Sequence, residues 1–403
     1  MSDVLVLTRD VPHPPNAGDR IVTSGFVRGL AARDHAVHLL SYGGDGDRSR
    51  AAALSDPCET VRLVSDPGTS LPPRIRKLGN ALLGRSDVMR MFYSDAYRRA
   101  AAEAIRAVSP DVVLAEHPYM GQVFLDREVK RAARAADARL VTNAHVVEYA
   151  AHEAYRDLVD DPLARLHLRH EIPKLRREEL SVYRASDRTL VLGAEDRAEL
   201  DPHVPGPVRR QRVGLDLDAY DPAPGADADG ARLLFFGSYE WFPNEDAVRY
   251  FARRVFPEIR ARRPDAEFVV AGRGAPDSVG ALDDRPGVAV VGEVADLGSA
   301  VRDAAAVVAP LRVGGGTRLK VLESMAWGAP VVTTAPGFEG VEARPGEDLL
   351  VADAWSEFVD ATVGLLSRPD RRERIGRNAR EAVESTYSID AAAAELVENL
   401  GIA

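Results

Sequence analysis

Pro310-Leu-Arg-Val-Gly-Gly-Gly-Thr-Arg-Leu-Lys-Val-Leu-Glu-Ser-Met-Ala-Trp-Gly-Ala-Pro-Val-Val-Thr-Thr334 decides how the chain is read, because a strand end, three glycines and a helix start follow one another within it. Gly314, Gly315 and Gly316 let the backbone approach a ligand closely, and a helix beginning near Thr317 directs its unpaired N–H groups and positive dipole end at the same place. A phosphate suits such a site. Six residues further on, Glu323 offers an acceptor for two vicinal hydroxyls, so phosphate and ribose could be held by one loop–helix unit. An ordinary strand-to-helix turn with Thr317 as N-cap has the same local pattern, and the glycines alone do not separate the two readings.

Outward from that stretch the alternation of strand and helix continues. Leu233–Phe236 precedes Gly237 and a helix from about Asn244, whose apolar residues Val248, Phe251, Val255 and Ile259 recur at helical spacing. Glu267–Ala271, Val288–Val291, Ala306–Ala309 and Pro330–Thr333 are further short apolar runs. An earlier series opens with Val4–Leu7, the loop His13-Pro-Pro-Asn-Ala-Gly-Asp-Arg20 and a helix over Ile21–Ala32. It continues with strands at Ala36–Leu40, Val112–Ala115, Leu140–Asn143 and Thr189–Leu192. Between the two series, Leu215–Gly230 is Asp, Ala, Pro and Gly without periodicity, the composition of a linker. The fold class expected is α/β, with two Rossmann-like doubly wound domains facing a central cleft at the carboxyl ends of their sheets. Leu163–Arg184 reads as a long arginine-rich helix that Pro173 should kink or break. Arg371–Ser385 and Ile389–Leu400 read as two more helices.

With 403 residues, 45% hydrophobic and 28% charged, the chain is long enough for about two or three domains. A net charge of −10 argues against nucleic acid as the main partner, since backbone phosphates are bound by basic surfaces. The single cysteine, Cys58, excludes an internal disulfide and a Cys-rich metal site. Met1-Ser-Asp-Val-Leu-Val-Leu-Thr begins directly as a strand, without the features of a signal peptide, and no apolar run nears the ~20 residues that span a bilayer. A cytoplasmic location is therefore expected. No metal is expected either, because no Asp-x-Asp metal motif appears in a suitable loop; Asp227-Ala-Asp229 sits in the linker.

The second half also carries Phe236-Gly-Ser, Val270-Ala-Gly-Arg-Gly, Val291-Gly-Glu-Val, Val308-Ala-Pro-Leu, Gly328-Ala-Pro-Val-Val and Gly340 with Gly346-Glu-Asp. In this order, together with Gly314–Ala326, they resemble the glycosyltransferases of family 4 (group 1). That family has the GT-B fold and transfers sugar from a nucleotide-sugar donor with retention of anomeric configuration. The resemblance implies a donor domain over 231–386 and an acceptor domain over 1–214, joined by the linker 215–230. A terminal helix over 387–403 could then pack back on the first domain. It further implies that Glu323 binds the donor ribose and that Gly314, Gly315, Gly316, Thr317 and Arg318 lie at the diphosphate. The loop at Val294 would meet the nucleobase through backbone groups.

Three positions depart from the family pattern. The family's sugar-binding glutamate, eight residues before the ribose-binding one, is Gly315 here. The arginine after the first strand's glycine and the lysine six residues later are replaced, after Gly237, by Ser238 and Asn244. Diphosphate charge needs strong donors, and Arg318, Lys320 and Arg273 are the replacements at hand.

In the first half, His145 ends a strand and, by the resemblance, contacts the donor sugar; Glu148 could orient it if the turn becomes helical. His117 in Glu116-His-Pro-Tyr-Met is its rival from position alone, and His13 would be the candidate base of an inverting enzyme. Gly18 lets the first loop approach the donor, and Arg20 adds charge. Residues 72–92, with Arg74, Arg76, Lys77, Arg85 and Arg90, form a basic amphipathic stretch. It is a candidate for peripheral contact with an anionic membrane surface, or a packed helix with solvated arginines.

The function expected is transfer of a sugar from a nucleoside-diphosphate sugar, UDP- or GDP-linked, to an acceptor hydroxyl on a glycan, lipid carrier or small metabolite. No cofactor is expected beyond the donor substrate. The alternatives are a nucleotide-sugar 2-epimerase on the same fold and a non-catalytic nucleotide-sugar-binding protein.

Overall fold

The computed structural model describes residues 1–65, 79–80, 83–222 and 230–402. Residues 72–78 and 81–82 of the basic stretch 72–92, with Arg74, Arg76 and Lys77, and the linker's Asp227 and Asp229 lie outside the described residues. The chain divides into two compact units. The first comprises Met1–Leu215, Gly315–Thr317 and Ile389–Ala403, and the second Asp216–Gly314 with Arg318–Ser388.

The first unit is built on a parallel sheet of β1 (Asp3–Thr8), β2 (Ala36–Tyr42), β3 (Thr60–Val64), β4 (Val112–Glu116), β5 (Arg139–Ala144), β6 (Arg188–Val191) and β7 (Val208–Arg210), in the order β3-β2-β1-β4-β5-β6-β7. β2 and β4 are buried along their whole length, which their continuous apolar runs require of strands covered on both faces. β3 alternates exposed and half-buried positions at the sheet edge, and β7 is only three residues long, so neither stands out as an apolar run. The C-terminal helix Ile389–Leu400 lies against the helix Gly18–Ala31 through small residues. A Cβ on Gly29 would come within 2.7 Å of the Ala393 Cβ.

The second unit repeats the plan with β8 (Arg232–Phe236), β9 (Glu267–Ala271), β10 (Val288–Gly292), β11 (Ala306–Ala309), β12 (Val331–Thr333) and β13 (Leu350–Val351), ordered β10-β9-β8-β11-β12-β13 and parallel throughout. Phe235, Phe251, Phe256, Phe268 and Phe358 fill its core, with the Phe251 and Phe268 rings 4.7 Å apart edge to face. Each such ring contributes about 1.5–3 kcal/mol by leaving water.

Two sequence expectations need correction. The long helix runs unbroken over Pro162–Ala185, through Pro173. The lost N–H and ring clash at one turn are outweighed by a buried stripe on both sides of it, including Leu168, Ile172, Leu175, Leu180 and Tyr183. The helix expected from Asn244 starts at Phe242 and passes at Phe251–Val255 through a π turn before resuming as Phe256–Arg262. Pro257, lacking an N–H to continue the regular ladder, sits just after that turn.

In each sheet the strand order reverses once, between β1 and β4 and between β8 and β11. Ligands of open α/β sheets bind outside the carboxyl ends at such switch points.

Candidate functional site

At the switch point of the second sheet, β8 ends at Phe236 and Gly237 follows. A Cβ on Gly237 would lie 2.9 Å from Asn244 Nδ2 and 3.0 Å from Lys320 Nζ, so this glycine leaves space that two polar heads use. Asn244 Nδ2 donates to the Ser238 carbonyl at 2.7 Å, and Lys320 Nζ donates to Asn244 Oδ1. The ammonium also stands 3.9 Å from the centre of the Phe235 ring.

After β11, the chain passes through Gly314–Gly316 into the helix Leu319–Ala326. The helix thus starts two residues later than the sequence indicates, with Arg318 in the N-cap position and no side-chain cap. Thr317 is not a cap: its hydroxyl donates to the Leu192 carbonyl at 3.0 Å. Glu323 is the fifth helical residue and accepts from the Tyr220 hydroxyl at 3.4 Å. Burial pushes its carboxyl up to about 7, against the opposing pull of Tyr220 and Lys320.

The other expected donor-binding cations face internal partners. Arg318 is buried, donates to the Pro336 carbonyl at 2.8 Å and pairs with Glu339 at 2.6 Å. Arg273 lies 3.7 Å from Glu240, and Ser238 donates to the same carboxylate at 3.3 Å. Val294 is half-buried in the turn after β10.

Within the first unit, the glycine loop explains why position 315 carries no glutamate. A Cβ on Gly315 would lie 2.2 Å from Val146 Cγ2. Gly316 has φ +67, and its Cβ would meet the His145 carbonyl oxygen at 1.9 Å. The Gly316 N–H donates to Asp196 Oδ2 at 2.9 Å.

The first sheet's switch point gathers β1, β4 and β5. His145 follows β5 directly, and its Nε2 lies 2.5 Å from Glu116 Oε2 at the end of β4. Asn143 Nδ2 donates to the same oxygen at 2.9 Å. The carboxylate that orients His145 is therefore Glu116, not Glu148. The two residues are distant in sequence, and the register of β4 on β5, which pairs Glu116 with Asn143, brings them together. The one signal in the sequence is a carboxylate closing the apolar run Val112-Val-Leu-Ala.

Glu148 instead begins the helix Glu148–Arg156 and is buried, with its carboxyl pushed up to about 7 mainly by burial. Glu179 caps that helix, accepting from the N–H groups of Glu148 and Tyr149 at 3.0 Å each.

His117, buried with φ +73, stacks on the Tyr119 ring and lies 3.9 Å from the His145 ring centre. Burial holds it well below the usual imidazole range, with His145 and Arg9 adding to the effect, so its ring is neutral. Both of its nitrogens, Glu116 Oε1 and Asn143 Oδ1 are buried without a hydrogen-bond partner.

From the first loop, Arg9 pairs with Asp19 at 2.7 Å. Burial alone would raise the Asp19 carboxyl, but the Arg9 and His145 charges hold it below its ordinary value. Gly18 opens the following helix, and Arg20 is spent on Asp10 at 2.7 Å and on Asn16.

Among the described residues, no group of three or more His, Cys, Asp or Glu could hold a metal ion, and no helix is long and apolar enough to cross a membrane.

Residues 230–368 match the family of group 1 glycosyl transferases. A protein of the cps region of Klebsiella pneumoniae, described as uncharacterised, is 20% identical over 405 positions, covering 96% of this chain and 97% of that one. Sucrose-phosphate synthase from Thermosynechococcus elongatus has a similar structure, with a TM-score of 0.70 at 17% identity over 99% of this chain and 98% of that one. Anabaena HepE, in complex with UDP and glucose, gives 0.68 at 12% identity over 100% of both chains. A variant of S. aureus TarM, in complex with fondaparinux, α-GlcNAc-glycerol and UDP, gives 0.71 at 10% identity over 99% of this chain and 100% of that one. At these identities the structural likeness shows the fold, which is GT-B. The group 1 domain makes the protein an enzyme of the glycosyltransferase class.

Proposed function

We propose that this glycosyltransferase, a member of family 4 in its mechanism, moves a sugar from UDP or GDP to an acceptor hydroxyl with retention at the anomeric carbon and without a metal ion. The observation that carries this reading is the second sheet's switch point. There the strand-end glycine Gly237, the Lys320 ammonium and, one turn along the same helix, the Glu323 carboxyl come together inside the group 1 domain. Glu323 would accept the ribose hydroxyls, while the start of the helix Leu319–Ala326 and Lys320 would receive the diphosphate.

In the reaction the bond from the anomeric carbon to the diphosphate oxygen breaks, and its electron pair leaves with the diphosphate. The acceptor oxygen bonds to the same face of that carbon, and its proton passes to the departing phosphate oxygen. Charge builds on the diphosphate, so fixed donors aimed there act on the transition state rather than on the resting donor. His145, fixed through Nε2 by Glu116, would hold the donor sugar near the reacting carbon. The acceptor is a hydroxyl compound, whether glycan, lipid carrier or small metabolite.

A thermal-shift screen of nucleoside diphosphates and their sugars tests the donor, because a ligand that binds only the folded state raises its Tm. Incubation of the stabilising nucleotide sugar with a hydroxyl-acceptor panel should then yield free nucleotide and glycoside together, with the donor's anomeric configuration kept by NMR. Tight donor binding without transfer to any acceptor would replace the enzyme reading with that of a nucleotide-sugar-binding protein.

A further inference from the structure

Lys320 is unlike the other cations at the second sheet's switch point. Arg318 is tied to Glu339 and Arg273 lies against Glu240, whereas Lys320 forms no ion pair among the described residues. Its Nζ is held by a neutral amide, Asn244 Oδ1, and by the face of Phe235, directly over the Gly237 strand end. A desolvated ammonium without a counter-ion is costly, and the cost disappears when an anion arrives. Three residues along the same helix, Glu323 presents the carboxyl to which the ribose reading assigns the nucleoside, so the anion that belongs beside Lys320 is the nucleotide's own phosphate.

Resting on that reading of the donor site, we propose that Lys320 alone supplies the mobile positive charge that distinguishes a nucleoside diphosphate from its bare nucleoside, and that the arriving phosphate fixes the proton on it. The place of this charge is set by space. The heads of residues 244 and 320 lie at 2.9 and 3.0 Å from the point where a Gly237 Cβ would stand, so a cation carried on either helix reaches the same spot.

The surroundings favour a proton that is loosely held until the phosphate comes. Burial, with the Arg318 charge adding to it and Glu323 opposing both, brings the Lys320 amine down to about 7. From β8 and the helix Phe242–Tyr250 the partners of its ammonium are Phe235 and Asn244, which do not titrate. Near neutral pH part of the empty protein therefore holds a neutral amine, and a bound diphosphate draws a proton onto it. Affinity for the diphosphate should fall as pH rises from 7 to 9, relative to affinity for the nucleoside. That ratio removes the contribution of Glu323, which touches both ligands.

The test is calorimetric titration of UDP, GDP, uridine and guanosine into the wild type and into Lys320→Met, Lys320→Arg and Asn244→Lys/Lys320→Met. Loss of one charge-assisted contact should weaken the preferred diphosphate about 10- to 100-fold relative to its nucleoside in Lys320→Met, and the nucleoside binding that remains shows that the variant is folded. The double variant should recover most of that loss. Lys320→Arg should bind at pH 7 and show no decline towards pH 9, because guanidinium does not deprotonate there. Diphosphate binding by the wild type that survives unchanged in Lys320→Met overturns the inference while sparing the donor reading. Failure of the wild type to bind either diphosphate overturns both.

Discussion

At the switch point of the first sheet charged groups satisfy one another, whereas at that of the second an ammonium stands against a ring and an amide. Arg9 and Asp19, Arg20 and Asp10, and Glu116 with His145 are closed pairs. What they leave open are neutral or shared atoms: the nitrogens of His117, one oxygen of Glu116 and the carbonyl of Asn143. Such a cluster holds a ring in one orientation and offers hydrogen bonds of fixed direction. The second switch point instead has glycines, a helix start and Lys320, an arrangement suited to receiving negative charge. On the proposed function the difference matches what each half would meet, a sugar and a hydroxyl in one case and a diphosphate in the other. The two should therefore fail differently when altered.

The strongest way to break the comparison is His145→Ala. If the first cluster acts on the reacting sugar, kcat should fall by roughly 100- to 1,000-fold while nucleotide affinity stays within about twofold. A rise in nucleotide Kd that matches the loss of kcat/KM would move His145 into nucleotide binding. The converse variant, Glu323→Ala, should weaken nucleoside and nucleotide alike by about 10- to 100-fold, since it removes an acceptor of two hydroxyl hydrogen bonds. Because burial raises this carboxyl to about 7, wild-type nucleoside affinity should improve as pH climbs through 7, and Glu323→Ala should lose that rise. A flat nucleoside profile in the wild type would remove the carboxylate from ribose recognition.

Glu116→Gln sharpens the contrast at smaller scale. The amide keeps the size of the side chain but cannot accept as a carboxylate does from both Asn143 Nδ2 and His145 Nε2. We expect kcat to fall about tenfold, the pH–rate profile to shift, and Glu116→Asp to recover little because the shorter arm leaves the ring. Equal loss of kcat and of thermal stability, with an unmoved pH profile, would make Glu116 a structural residue only.

How these groups could be found in the sequence differs in the same way. Gly314–Gly316 and Glu323 are neighbours along one loop and helix, so local spacing exposes them. Glu116 and His145 are joined by the pairing of β4 with β5, and Gly237 with Lys320 by the pairing of β8 with β11, neither of which spacing reveals. Central strands were legible because burial on both faces forces unbroken apolar runs, as in β2 and β4. β3, β7 and β13 were not, being edge strands that alternate or last only two or three residues. Pro173 misled because a helix-breaking propensity is local, while the stripe that overrides it extends over the whole of Pro162–Ala185.

The smallest expected effect concerns stability beneath the first cluster, where Glu179 joins the helix that follows His145 to the long helix. Its two oxygens accept from the N–H groups of Glu148 and Tyr149 and from the Tyr183 hydroxyl, yet full burial pushes its carboxyl up to about 8. Glu148, beside it, is raised to about 7 by the same cause. Between the ordinary carboxyl value of 4.5 and these raised values, the folded protein keeps protons that the unfolded chain has released. Stability from these groups is thus complete below pH 4.5 and is lost as pH rises towards 8. Urea midpoints should fall over pH 5 to 8 by the equivalent of about 1 kcal/mol or more. Glu179→Gln, which imitates the protonated acid, should show a shallower fall, and Glu148→Gln/Glu179→Gln a shallower one still. The second sheet's switch point supplies the control: Glu323→Gln should leave most of the slope in place, because the raised carboxyls of Glu148 and Glu179 remain. A slope unchanged by the Glu179 and Glu148 substitutions would mean that both carboxylates are already ionised in the folded protein at pH 7, held by the helix N–H groups and Tyr183 rather than by a proton.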